Sequence, residues 1–414
     1  KGIGGKIFCI LICIILGVGS FYIGKVNNAF QKITGSNKKT SSMVVAVKAD
    51  DNADTLSAAA GYTFGVQYAT GGDQTKSAVK QIEKELGQNI TLQEYSNLGE
   101  EAQALYDGEV DAIIYNSAYS NIIKEQYSTF TKDTKVIYKH NIVVEIESDT
   151  SDESVTKPFA VYLSGIDTNG DITEQGRSDV NIVAVVNPTS HQVLLITTPR
   201  DYYVPIPGVS GGQDDKLTHA GIYGVDVSMQ TLEELYDTDI EFFGRVNFTS
   251  MTSVVDALGG LDVESDLEFD TGWESGAEIH VNEGMNHFDG ISALAFCRER
   301  QALPDGDNGR GVHQQAVITA IIKKMMSPAM LRGASDIIES VSDGVDTNFT
   351  SSQIQSLIKT QLRTNAKWNI YSVAADGTGG TDICYSSGDE ELYVTYPDEN
   401  SVAEISELIK KVKD

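Results

Sequence analysis

The feature that most restricts the fold is a pair of unbroken apolar runs, residues 159–166 and 180–186, followed by a third at 193–197. A strand with one wet face alternates apolar and polar residues. These runs do not, so the strands they form must be covered on both faces. Helical spacing recurs at 227–236, 249–258, 291–296, 312–326, 337–341 and 354–362. A strand at 392–396 and a helix at 402–412 close the chain. Strands interleaved with helices predict the α/β class, as a layered α-β-α domain over 158–414. No repeat of solenoid length is present.

The chain of 414 residues is long enough for more than that domain. Residues 42–150 read as a small α/β unit, with strands at 43–47, 63–67 and 110–115. A helix at 75–86 presents Val79, Ile82 and Leu86 on one face, and a further helical stretch falls at 118–125. The acidic, Ser/Thr-rich stretch 147–157 ends at Pro158, the first proline of the chain, and sets the boundary. Residues 7–24 carry no charge. As a helix they span roughly 27 Å, near the ~30 Å of a bilayer core. They are expected to form a transmembrane helix, preceded by the short end 1–6 and followed by 25–41 as a polar linker. A cleaved signal peptide fits less well, because the run is long and no small-residue cleavage site follows. Lysines flank the run on both sides, so charge leaves its orientation open.

Charge narrows the function. Lys and Arg number 31 against 59 Asp and Glu, a net charge of −28. A phosphate-backbone binder needs a positive footprint, so a general nucleic-acid partner is excluded. The four cysteines form no CxxC pair and no Cys/His cluster, which excludes a disulfide scaffold and a structural zinc site. The Gly-rich stretch 208–216 lacks the P-loop signature, and 377–380 reads as a turn. The six histidines show no metal spacing, and His313 reads as a surface or supporting residue.

Arginine is used sparingly. There are eight in the chain, none before Arg177, and five fall at Arg177, Arg200, Arg298, Arg300 and Arg310. The guanidinium is a planar fork that binds phosphate or carboxylate bidentately, so this concentration points to a local anion site. Structural ion pairing with the abundant carboxylates is the competing reading, and spacing decides between them. Arg177 and Asp179 lead into the second apolar run and, by strand alternation, share a face. Arg200 and Asp201 follow the third run, at a strand's carboxyl end, where open α/β sheets place ligands. Arg298 and Arg300 share a face if the chain is extended there. Arg310 and Gln314 share a helical face near a helix start. Asp307 precedes them, as a cap or a metal contact. Asp167 ends the first run, and with Asp179 it supplies two hard oxygen ligands of the kind Mg²⁺ shares with substrate phosphates. A turn or capping role is the alternative for each.

These residues occur in a series that resembles the LytR-CpsA-Psr family of cell-wall glycopolymer ligases. The series runs Ser164-Gly165-Ile166-Asp167, Gly176-Arg177-Ser178-Asp179, Pro199-Arg200-Asp201 and Asp215-Lys216-Leu217-Thr218-His219-Ala220. It continues with Val255 through Val263, then Leu294 through Arg300, and closes with Gly306-Asp307-Asn308-Gly309-Arg310 and Gln314-Gln315. The resemblance implies an N-terminal membrane anchor, a single-pass location in the cell membrane and an extracytoplasmic catalytic domain. It also implies Mg²⁺ bound to the pyrophosphate of a polyprenyl-linked glycopolymer, and peptidoglycan as acceptor. Asp167 and Asp179 would hold the metal. Arg177, Arg200, Arg298, Arg300, Arg310 and Gln314 would hold the phosphates. Asp201, Lys216 and Asp307 match further polar positions, with Asp201 a candidate base. Residues 60–146 resemble half of an extracellular solute-binding lobe, and an accessory domain in that place is similar to capsule-type members. The expected activity is transfer of a teichoic-acid-like or capsular glycopolymer to peptidoglycan. A polyprenyl-pyrophosphate hydrolase and a non-catalytic sensor of lipid-linked glycan are the alternatives.

Overall fold

The computed structural model describes residues 38–145, 155–166, 175–304, 307–325, 344–388 and 390–414. The apolar run 7–24, most of the linker, Asp167 and the helical pattern at 337–341 lie outside the described residues. Among the described residues no helix is long and apolar enough to cross a membrane.

The first unit is a five-stranded sheet built from β1 (Lys38–Lys48), β2 (Thr63–Gln67), β3 (Thr91–Tyr95), β4 (Ala112–Asn116) and β5 (Thr134–Glu145), in the order β3-β2-β4-β1-β5. β1 begins inside the stretch expected to be linker, because its residues from Lys38 pair with β5 along its whole length. Helices α1 (Gly72–Leu86) and α2 (Leu98–Asp107) cover the two faces, in separate apolar clusters around Val45, Phe64 and Ile82, and around Ala102, Leu105 and Ile113. The sequence reading of this unit did not include β3, α2, β5 or the short helices Leu56–Ala59 and Phe130–Asp133. Most of β3 is exposed at the sheet edge, so burial imposes little pattern on its sequence.

The second unit holds a six-stranded sheet of β6 (Phe159–Ile166), β7 (Ser178–Asn187), β8 (Gln192–Thr197), β9 (Phe242–Asn247), β10 (Val345–Thr347) and β11 (Asn369–Ala374). Its order is β10-β9-β6-β7-β8-β11, with β9 parallel to β6, β11 parallel to β8, and β7 antiparallel to both its neighbours. The unbroken apolar runs have their expected cause. Tyr162, Val183, Val185, Leu194 and Ile196 pack under α3 (Val225–Tyr236) and the C-terminal helix Glu399–Lys413. The alternate residues Val161, Ile182, Ala184, Val193 and Leu195 form the opposite cluster, which meets Ile318, Ile322 and Leu357 of two further helices. Helices on both faces make this the layered α-β-α domain. The stretch 377–380 is not a turn but part of strand Gly377–Ile383, paired with Glu391–Pro397. Its glycines admit the rings above them, since a Cβ on Gly380 would stand 2.6 Å from the Tyr396 ring and one on Gly379 2.7 Å from the Tyr393 hydroxyl.

One edge of this sheet gathers the carboxyl ends of β6, β8 and β9 and the amino end of antiparallel β7. Ligands of open α/β sheets bind outside such an edge.

Candidate active site

The chain geometry at that edge is irregular where the charged residues stand. Ile166 pairs with Ser178 and Gly165 with Val180, so Asp179 is an extra residue, a β-bulge. Strand alternation therefore fails between Arg177 and Asp179. Asp179 lines a cavity, whereas the Arg177 guanidinium donates through Nη2 to the Asn121 carbonyl of the first unit at 3.1 Å. The Tyr162 hydroxyl lies 2.6 Å from both Ser178 Oγ and Asn181 Oδ1, satisfying buried polar groups behind the bulge.

Arg200 follows β8. Its Nη1 donates to Asp179 Oδ1 at 2.8 Å, and its Nε lies 3.5 Å from Asp201 Oδ2. Lys216 Nζ is 3.4 Å from Asp201 Oδ1, and Thr218 Oγ1 donates to Asp179 Oδ1 at 3.3 Å. Carboxylates and cations alternate in this row. Asp201 is 8% exposed and outside the cavity lining, with its carboxylate between Arg200 and Lys216.

Of the other arginines, Arg298 ends α4 (Gly290–Arg298), Arg300 follows that helix, and Arg310 lies on α5 (Asp307–Met325). Asp289 caps α4 by accepting from Ser292 N, and Arg298 is its last helical residue. The chain is thus extended only from Glu299, yet Arg298 and Arg300 both reach the cavity. Glu299 explains this. It is 2% exposed, and its Oε1 accepts the N–H groups of Arg300 and Ala302 at 2.9 and 3.0 Å. Its Oε2 accepts Gly272 N at 2.8 Å and the Ser275 hydroxyl at 2.9 Å. Burial pushes this carboxyl up, but the hydrogen bonds outweigh it and hold it below the usual range. Sequence reasoning gave Glu299 no role. Its one signal was a carboxylate set between two arginines. Asp307 opens α5, and Arg310 and Gln314 on that helix also line the cavity. Gln314 Nε2 is 3.4 Å from the Cys297 carbonyl. His313 is not a surface residue: it is 5% exposed and stacks on Phe296 with ring centroids 4.0 Å apart. Arg245, outside the clustered five, is a structural ion pair: it is buried against Asp346 at 2.6 Å.

The cavity itself is large, about 960 Å³. Asp179, Arg200, Arg298, Arg300 and Arg310 line it together with Asp270, Glu274, Glu299, Gln301 and Gln314, so its polar part carries both signs of charge. The larger share of the lining is apolar, with Val161, Leu163, Val246, Leu258, Val317 and Ile321 among its walls. Burial beside this apolar wall pushes the Cys297 thiol up to about 12, so it is no thiolate nucleophile. Among the described residues no group of three or more His, Cys, Asp or Glu is arranged to hold a metal. Asp179 with the Thr218 hydroxyl is a hard-oxygen pair of the sort that suits a cation shared with substrate phosphates.

The site is thus a cavity at the edge of a layered α-β-α sheet, with four arginines set against hydrocarbon walls. The LytR_cpsA_psr family model matches residues 113–411, and the chain belongs to that family. It is 34% identical over 253 residues to polyisoprenyl-teichoic acid–peptidoglycan teichoic acid transferase TagU of Bacillus cereus (strain AH820), covering 61% of this chain and 77% of that protein. The TagU of Enterococcus faecalis (strain ATCC 700802 / V583) is 36% identical over 203 residues, 49% of this chain and 65% of that one. Among solved structures, B. subtilis TagV superposes with a TM-score of 0.54 at 26% identity, over 63% of this chain and 98% of that one. Protein gbs0355 from Streptococcus agalactiae gives 0.55 at 25% identity, over 64% and 92%.

Proposed function

We propose that this chain is a phosphotransferase that moves a glycopolymer, teichoic-acid-like or capsular, from a polyprenyl-pyrophosphate carrier to peptidoglycan. The observation that carries the reading is a cavity that joins an extensive body of hydrocarbon walls to four lining arginines. A prenyl chain is driven into the body by the hydrophobic effect, and the volume lies at the upper end of ligand pockets, about 300–1,000 Å³. The pyrophosphate is then left among the guanidinium groups. Membership of a family whose relatives are named teichoic acid transferases supports the reaction class.

In the proposed step a peptidoglycan hydroxyl attacks the phosphorus that bears the glycan. A phosphodiester forms, the anhydride P–O bond breaks, and polyprenyl phosphate leaves. The hydroxyl proton is lost to solvent or to a neighbouring phosphate oxygen. Arg200, Arg298, Arg300 and Arg310 neutralise the charge that grows on the bridging and leaving oxygens, the dominant contribution in phosphoryl transfer. Asp179 and Asp167 are the proposed holders of Mg²⁺, which would supply further charge neutralisation at the pyrophosphate. The run 7–24 is proposed to anchor the chain in the cell membrane with the catalytic domain outside.

The test uses the full chain in detergent with labelled polyprenyl-pyrophosphate glycan, Mg²⁺ and peptidoglycan oligomers. Label attached to the oligomers, lost on chelation and in Arg298→Ala, is the expected outcome. Release of free glycan phosphate with no attachment would show a hydrolase instead. Lipid binding without turnover, indifferent to chelator, would show a sensor.

A further inference from the structure

The lip of the cavity carries an indole that the fold leaves in water. Trp273 is 75% exposed, the most exposed large apolar side chain among the described residues. The residues on both sides of it, Gly272 and Glu274, line the cavity together with Ser275. The segment is a single tight turn, Trp273–Ser275, closed by the Gly276 N–H on the Trp273 carbonyl with Gly276 at φ 101. It is not a loose loop. Glu299 grips Gly272 N and the Ser275 hydroxyl with one oxygen and the arginine segment with the other. Gln301, directly after Arg300, donates through Nε2 to Glu274 Oε2 across the two segments. A Cβ on Gly276 would stand 3.5 Å from Arg298 Nη1, so the turn rests beside the phosphate-binding edge.

We infer that Trp273, with Glu274 and Gln301, forms a saccharide subsite at the cavity mouth, taking the face of a pyranose ring. A pyranose has an apolar face of axial C–H groups and a polar rim of hydroxyls. The indole face is electron-rich and attracts slightly positive C–H groups, while a carboxylate and an amide hydrogen-bond the rim. The turn is pre-fixed by Glu299, so little ordering is required when the ring docks. The inference rests on the proposed function for its occupant: with the prenyl chain inside and the pyrophosphate at the arginines, the sugar must emerge at this lip. Two sources share that chemistry, the first sugar of the donor and the glycan of the peptidoglycan acceptor.

The test uses the full chain carrying Trp368→Phe, which leaves Trp273 as the sole tryptophan and emission reporter. Four probes are compared: a sugar-bearing prenyl diphosphate, the sugarless prenyl diphosphate, soluble peptidoglycan glycan oligomers, and phosphatidylglycerol vesicles with no saccharide. At least one sugar probe is expected to shift the Trp273 emission, and which one does so identifies the source. Trp273→Ala is expected to weaken that probe about tenfold. Trp273→Tyr is expected to recover most of the loss, and the affinity for sugarless prenyl diphosphate to stay unchanged in both variants. No shift with either sugar probe, or an equal shift with the sugarless lipid, overturns the subsite. A shift on vesicles alone that no sugar increases also overturns it, in favour of a membrane contact. Failure of the sugarless lipid to bind the wild-type chain by calorimetry would instead overturn the proposed function, so the two failures are distinguishable.

Discussion

Glu299 shows how one carboxylate organises a site without facing substrate. Its four hydrogen bonds join the Arg298–Arg300 segment to the turn at 272–275. Glu299→Ala leaves those donors unmatched in a buried place, at a cost of about 2–3 kcal/mol. The arginines should also shift, and misplacement of about 1 Å is enough for a loss near 100-fold in rate. The expected outcome is a lower Tm together with transfer reduced well beyond tenfold. A variant that lost stability but kept its rate would show that Glu299 does not position the arginines. The pH dependence has a definite sign. The folded carboxyl is held below its ordinary value of 4.5, so its stabilisation is complete above that value. It is lost as pH falls through the lower folded value. The Tm difference between wild type and Glu299→Gln should therefore shrink as pH falls below the ordinary value of 4.5. A difference that is constant down to that range would contradict the assignment.

At the scale of elements, the site depends on one tight contact. The helix Leu217–Tyr223 crosses the entry to β7, and a Cβ on Gly221 would lie 2.6 Å from the Gly176 carbonyl and 2.9 Å from Ser178 N. Neither neighbour is a flexible side-chain end, so Gly221→Ala must displace the backbone that leads to Asp179. Overpacking of this kind costs about 1–3 kcal/mol. Because the strain falls on the bulge, rate should suffer more than stability, with transfer down at least about tenfold. Equal transfer rates for Gly221→Ala and wild type would refute this. The same region marks where the sequence stops being readable. The apolar runs identify β6, β7 and β8 because both faces are covered, and that constraint is written directly into residue type. The bulge at Asp179 is not: it depends on how Gly165 and Ile166 pair with β7, and no residue in the strand announces it. Alternation alone therefore puts Arg177 and Asp179 on one face, which the structure does not. Arg200, Arg298, Arg300, Arg310 and Gln314 were legible because they cluster in short segments of an arginine-poor chain, and all five reach one cavity. The apolar body of that cavity was not, since its walls come from six or more separate elements.

At the scale of the whole molecule, the first unit is docked onto the second rather than tethered to it. Tyr115, Tyr119 and Ile122 share one apolar cluster with Ile206, Ile222 and Tyr223 of the catalytic domain. Gln175 is the polar pin of the joint. It is 5% exposed, its Oε1 accepts from Ser41 Oγ at 2.7 Å and Asn116 Nδ2 at 3.0 Å, and its N–H reaches the Thr40 carbonyl at 3.3 Å. Two residues later Arg177 bonds the Asn121 carbonyl. The Tyr385 hydroxyl also donates to the Ala69 carbonyl, in the loop after β2. The two units are expected to unfold together, in a single calorimetric transition. Gln175→Ala removes one acceptor that serves two buried donors, a loss of about 1–3 kcal/mol, and should lower the Tm while leaving a single peak. Because Asp179 lies four residues further along the same segment and lines the cavity, the variant should also transfer more slowly, although residue 175 itself lies outside the lining. Two resolved peaks in the wild-type chain would mean that the units are energetically independent. A slower Gln175→Ala with an unchanged Tm would place the effect in the position of Asp179 alone.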